Sequence, residues 1–475
     1  MFKKFILSYC ICVLAVLSLC PNVYSAGRTT DRSVEIIKLS LKPAAEPVPA
    51  MSYKLLPRYI DQRNGNAALL YYSATGLLPD GDSKEINEKI NDWLNLPLDQ
   101  IDRREVEKLL SSFSNCFRQI TLATQCNSCQ WEMSTGEGFS LLLPPLADFR
   151  NIIRAMGLQT KLYIADGKID QAVEILQQGM YMGRNIAEGP TIIQDLVGIS
   201  IEALMLKEVE YLIQTTDSPN MYWALASLPY PMVDIRSSVQ YEREMVFLEF
   251  PQLRDLENMV LNPQQASKMI SEIFNKISEL GAGGDSMPFK GLLSTGWIMV
   301  HYSDAKQYLA GKEFSQERIE AMPAAQAVLI YQKQQYLEIA DNMLKWLELP
   351  YGQARFYIRQ NREQFNKSMS GQGIKFNILT SLLPALDRVA LVQTRLDRNI
   401  AILRTIEAIR MYAAANSGKL PDSLSEITVV PVPKDPVTGK DFIYNRIDKQ
   451  NARLEASVSM EENDRRPVYE LTMKQ

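Results

Sequence analysis

The stretch from Thr191 to Gln214 constrains the fold of this chain more than any other. It follows the helix-breaking pair Gly189-Pro190, has the length of a helix, and is apolar on nearly every side. A helix of that kind has no face to offer water, so a core has to be assembled around it. The surrounding sequence supplies the partners. Asn66 to Thr75 reads as a helix, Ser83 caps a second that ends near Leu94, and Asp99 caps a third that runs to about Ala123. Pro144-Pro145 opens another that continues to Ala165, and amphipathic patterns return over Val233 to Val260, Gln265 to Leu280, Gly296 to Leu309, Ala324 to Leu347 and Gly352 to Phe365. No strand-helix alternation interrupts this series, so a parallel α/β sheet is not indicated. The expected class is mainly α: an irregular body of helical hairpins with a small C-terminal α+β element.

The two ends differ from the middle. Lys3 and Lys4 precede an apolar run from Phe5 to Leu19, Pro21 stops it, and small residues follow at Ser25 and Ala26; residues 1–25 therefore read as a cleaved signal peptide. The run is short for a membrane span, which needs about 20 apolar residues, so no span is expected after cleavage and the protein is expected to be periplasmic or secreted. The 51 Lys and Arg against 55 Asp and Glu give a net charge of −4, and losing Lys3 and Lys4 takes it to −6. With no basic stripe, a nucleic-acid partner is not expected. Residues 26–57 look extended and carry Pro43, Pro47 and Pro49; 58–366 is the helical body; the Gly/Ser-bearing stretch 367–384 reads as a linker; and 385–475 forms a tail.

The tail begins with a long helix, about Ala385 to Ala415, ended by Gly418, and continues with three strand-like runs at Phe442 to Tyr444, Arg453 to Val458 and Pro467 to Met473. The order of this helix, Tyr412, Gly418, Leu420-Pro421, Leu424, Pro433-Lys434-Asp435-Pro436, Gly439 and Tyr444 resembles the soluble domain of a type II secretion major pseudopilin. That resemblance covers under a fifth of the chain and implies a helix followed by a short antiparallel sheet. The helix here is internal and carries Arg388, Arg395, Asp397, Arg398 and Arg404. Within the body, Met156, Tyr163, Gly167, Ala172 and Leu176 fall at spacings that resemble one tetratricopeptide-type hairpin. Cys129-Gln130-Trp131, that hairpin and Leu196-Val197-Gly198-Ile199 are similar to a group of exported bacterial proteins to which no activity attaches.

The residues that could carry chemistry are few. The chain has one histidine, His301, which removes any site that needs two imidazoles. After signal cleavage the cysteines are Cys116, Cys126 and Cys129; a disulfide among them leaves one thiol over, and zinc could be held only by all three together with His301. Gly281-Ala282-Gly283-Gly284 lacks the Lys-Ser/Thr of a phosphate loop and reads as a helix end. Asp195 and Glu202 lie two turns apart on the apolar helix, where burial raises their pKa toward general-acid work, unless Arg150, Arg154 or Arg184 holds them in structural ion pairs. No cofactor is expected. The sequence thus points to an exported scaffold or binding protein with a protein or peptide partner in helix-hairpin grooves. The alternatives are a carboxylate-dependent enzyme acting on envelope polysaccharide and an accessory component of a secretion assembly.

Overall fold

The computed structural model describes residues 35–79, 83–97, 100–279, 290–312, 314–371, 377–383, 386–457 and 466–474. Residues 1–25, read above as a signal peptide, Asp99 and the Gly281 to Gly284 run lie outside them. Among the described residues, fifteen α-helices and a small C-terminal mixed sheet make the fold mainly α.

The first helices are α1 (Ala67–Thr75), α2 (Ser83–Asn95), α3 (Arg103–Ser112) and α4 (Ser114–Ala123). The single helix expected up to Ala123 is thus two, with a break at Phe113. Its start is also set by a different residue: the Asp102 side chain accepts from the backbone N–H groups of Arg104 and Glu105, as an N-cap does. Next come α5 (Leu146–Ala165) and α6 (Ile169–Ala187), a hairpin whose turn holds Gly167 at φ +68°, a conformation that L side chains rarely adopt. The apolar helix follows as α7 (Ile192–Leu212), capped by the Thr191 hydroxyl, which accepts from the Gln194 N–H at 3.3 Å. It packs closely on α6: a Cβ added at Gly198 would lie 2.6 Å from the Gly183 carbonyl oxygen, so only glycine allows this approach.

Beyond α7 the chain forms α8 (Tyr222–Ala226), α9 (Arg236–Glu249), α10 (Pro263–Glu279), α11 (Lys290–Ala310), α12 (Gln316–Ala321), α13 (Ala324–Leu344) and α14 (Tyr351–Gly371). The helix expected over Val233 to Val260 ends early, because Pro251 cannot continue it. Residues from α9 through α13 form a second core around Trp297, Val328 and Tyr336. Ile378 and Leu379, inside the stretch read as a linker, are buried in that second core. A polar composition around them hid two apolar anchors.

The tail helix is α15 (Leu386–Ala415), followed by β4 (Ile443–Arg446), β5 (Asn451–Glu455) and β6 (Pro467–Met473). These three pair antiparallel, and β1 (Glu35–Leu41) from the other end of the chain pairs parallel with β6, giving the order β1-β6-β5-β4. The expected antiparallel sheet is therefore completed by the N-terminal segment. Leu39 and Leu41 point inward while Ile36 and Lys38 face out, the alternation of a strand with one covered face. Two further short strands, β2 (Arg63–Asn66) and β3 (Cys126–Ser128), pair parallel. One hydrophobic core joins residues of β1, α1, α4 to α8, α15 and the sheet.

Charged residues of α15 fasten this arrangement. Arg398 and Asp435, both fully buried, form a two-bonded pair at 2.9 and 3.2 Å, and Asp435 also accepts from the N–H groups of Val437 and Ser457. Arg410 pairs with Glu407 at 2.7 Å and donates to the carbonyls of Lys42 and Ser218, tying α15 to the N-terminal segment and to the loop after α7. Among the described residues no helix is long and apolar enough to cross a membrane.

Candidate functional site

A groove of about 690 Å³ opens between the α3–α4 pair and the α5–α6 hairpin. Each wall follows from helix periodicity. Leu110 on α3, Phe117 on α4 and Leu162 on α5 are the inward residues of amphipathic helices, and they leave an apolar strip along the groove. Phe117 stacks on Phe113 with ring centres 5.8 Å apart, so the helix break at 113 also fixes this wall. On the floor lies Gln178 of α6, almost fully buried, whose carbonyl oxygen accepts from Thr121 Oγ1 at 3.3 Å and whose amide donates to Glu174 at 3.4 Å.

One end of the groove is an ion cluster. Arg103 reaches both Glu107, at 2.8 Å, and Asp166, while Lys168 meets Asp166 at 3.0 Å. The hydrogen bond from Arg103, then that from Lys168, lowers the Asp166 pKa, so this carboxylate stays charged. Arg118, exposed on α4, lines the groove and has no carboxylate partner among the described residues. With Tyr163, Gln159 and Gln171 also present, the groove offers an apolar strip, amides and, among the described residues, an Arg118 guanidinium without a carboxylate partner. The sequence signalled only the hairpin turn at Gly167; which faces would be left open depends on how α3 and α4 sit against it.

Asp195 and Glu202 do not line this groove. Both are 1% exposed on α7, and they meet different helices. Asp195 accepts from the Ser238 hydroxyl on α9, with its other oxygen unbonded, and lies near Glu242. Glu202 packs over Gly183 on α6, where a Cβ would come 2.9 Å from its Oε1. Burial raises both pKa values well above the ordinary ones; Ser238 offsets this in part for Asp195, and Arg184 in part for Glu202. The expected arginine pairs are absent: among the described residues neither carboxylate has a salt bridge, and Arg184 turns to Glu188 at 3.8 Å instead. Arg154 contacts Asn151 at 3.3 Å. The physical reason is that a protonated carboxyl needs no cation, so α7 can be sealed without one. An acid and a base acting on one substrate would have to face a common opening, and these two do not.

Further buried ionisable groups were not evident from the sequence. Glu208, also on α7, has its pKa raised to about 7 by burial, opposed by Lys161, whose own pKa is lowered by the same burial. Asp397 on α15 is likewise raised to about 7 by burial while it accepts from the Met232 N–H at 2.9 Å.

The cysteines and His301 do not assemble. Cys116, Cys126 and Cys129 are free thiols in the first core, whereas His301 is buried in α11 beside Trp297 of the second. No group of three or more potential metal ligands occurs among the described residues. Burial pushes the Cys116 thiol up to about 12 and raises Cys126 and Cys129 as well. A disulfide within Cys126-Asn127-Ser128-Cys129 is disfavoured by the extended chain of β3, since three residues at ~3.3 Å each separate the Cα atoms by roughly 10 Å, beyond the ~7 Å that a bridge spans. The His301 ring donates from Nδ1 to the Trp297 carbonyl at 2.8 Å, which makes it a packed core residue.

No family model, no curated protein and no solved structure matches this chain.

Proposed function

We propose that this protein is an exported binding protein of the cell envelope that holds an extended peptide segment of a protein partner in the groove between α3–α4 and α5–α6. The observation that carries the reading is the groove itself, open along an apolar strip and edged by a paired ion cluster at one end and by Arg118. Apolar side chains of a peptide would occupy the strip around Leu110, Phe117 and Leu162, and its backbone would find the amides of Gln159 and Gln171. Arg118 favours an acidic residue or a C-terminal carboxylate at its position. Export rests on Lys3, Lys4 and the apolar run after them.

A random peptide library selected on the immobilised full chain tests the proposal. Selected peptides are expected to bind at least about ten-fold more weakly to Tyr163→Ala and to Arg118→Glu, a loss of ~1.4 kcal/mol. Failure to select any peptide, or binding indifferent to both substitutions, overturns it.

A further inference from the structure

The turn between α13 and α14 carries an aromatic shelf remote in sequence from the groove. Trp346 and Tyr357 stack almost parallel, with ring centres 4.3 Å apart and planes 6° from coplanar, and Phe356 meets Tyr357 edge-on at 5.6 Å. Despite these contacts Phe356 remains 57% exposed and Tyr357 44% exposed. The buried side of α14 is occupied by Ala354 and Ile358, so the helix places its two aromatics on the outer side without needing them for the core. A large exposed ring on a helix face otherwise made of Gln353, Gln360 and Glu363 is a departure from the usual polar exterior.

The charge around the shelf is directional. Lys345 Nζ lies 5.3 Å from the Trp346 ring centre and Arg359 lies 5.8 Å from that of Phe356. The two acids of this strip are already engaged: Glu348 with Arg236 at 3.9 Å and Glu363 with Arg359 at 3.9 Å. Lys345 and Arg355 have no carboxylate partner among the described residues, although the chain as a whole is acidic. Lys345 is instead held by Asn342 Oδ1 at 2.7 Å, and Asn361 donates to the Asn342 carbonyl at 2.8 Å. Ring faces, amides and the uncommitted Lys345 are thus found at one turn, with the uncommitted Arg355 one residue before Phe356 on α14.

The geometry points to a second binding site here, for an anionic glycan whose sugar rings bear carboxylates. The apolar C–H face of a pyranose lies flat on an exposed aromatic ring, the side amides of Gln353 and Gln360 reach its hydroxyls, and Lys345 and Arg355 meet the carboxylates. The prior stacking of Tyr357 on Trp346 removes most of the ordering cost on binding. An isolated apolar docking surface would have no use for the free cations, and a nucleic-acid surface would need a longer basic track. Together with the groove, the site would let one chain hold a protein segment and an envelope polysaccharide at once.

Calorimetric titration of the full chain with a short polyuronate oligosaccharide, and with a neutral gluco-oligosaccharide of the same length, tests this. Saturable binding of the polyuronate is expected, weakened at least about ten-fold by Tyr357→Ala and by Phe356→Ala, and retained in Tyr357→Phe, which keeps the ring. The Lys345→Gln, Arg355→Gln pair should bring polyuronate binding down to the level of the neutral sugar. Tyr163→Ala and Arg118→Glu, in the groove, should leave it unchanged, so the two sites fail or stand separately. Absence of saturable binding, equal binding of the neutral sugar, or full binding by Tyr357→Ala with an unaltered circular dichroism melt overturns the assignment. So does binding of anionic phospholipid vesicles, with the same dependence on Phe356, in place of the sugar.

Discussion

At the scale of single residues, the behaviour of the protein is set by carboxyl groups placed where water cannot reach them. Asp195 and Glu202 have pKa values raised by burial, which favours their neutral forms. Replacing them with Asn and Gln, which are neutral isosteres, is therefore expected to leave the melting temperature within a few degrees of the parent. Replacement of Glu202 by Lys, which inserts a charge against Gly183 and α6, should instead prevent folding. Thermal melts followed by circular dichroism decide this; collapse of the isosteric variants would mean that the charged forms are the structural ones. Glu208 and Asp397 give the complementary test. Their folded pKa values, about 7, exceed the unfolded ones, so between the two the native state binds more protons than the unfolded state. Stability from these groups is full below about pH 4 and falls as pH rises to about 7, by on the order of a few kcal/mol for each. The protein should melt at higher temperature near about pH 5 than near about pH 8, and Glu208→Gln with Asp397→Asn should flatten that difference. A melting temperature that rises with pH across this range would contradict it.

Among the elements, β1 and α15 do the most to define the molecule. β1 has no local partner, and its pairing with β6 joins residues more than four hundred positions apart in the chain. Leu41, fully buried, should cost about 2–4 kcal/mol on replacement by Ala, measured by urea denaturation, while Lys38→Ala, on the exposed face, should cost no more than about 0.5 kcal/mol. Equal effects at the two positions would mean that β1 does not contribute its inner face. On α15, Arg398→Met leaves Asp435 buried without its cation and should destabilise the chain by about 3–5 kcal/mol, read in the same experiment. What could be read from sequence at this scale follows from which signals are local. The extents of α5, α7 and α15 were legible because Pro144-Pro145, Gly189-Pro190 and Gly418 punctuate strong apolar patterns. The break at Phe113 and the cap at Asp102 were not, since a helical pattern runs through both. The parallel strand pairing of β1 was out of reach for a different reason: strand partners separated by the whole chain leave no periodic trace, only an extended segment with a proline-rich sequel.

On the scale of the whole molecule, the one part of the candidate binding surface that sequence reasoning could approach was the hairpin around Gly167. The groove beside it arises from the packing of α3 and α4, and no residue pattern announces such an opening. The carboxylate pair, by contrast, was visible as spacing on an apolar helix but its meaning was not, because two turns of separation fix a shared face without saying whether that face meets solvent, an arginine or another helix. Here it meets α6 and α9. We propose a helical body whose buried carboxyls are structural parts and whose exterior carries the binding chemistry.

The most direct test of that account compares the binding of one groove-selected peptide, by titration calorimetry, to the parent chain, to the Asp195→Asn, Glu202→Gln double variant and to Tyr163→Ala. The double variant should bind as the parent does, and Tyr163→Ala should lose about ten-fold or more. Loss of binding or of a newly detected turnover in the double variant, with Tyr163→Ala unaffected, would contradict the account and return α7 to the centre of function.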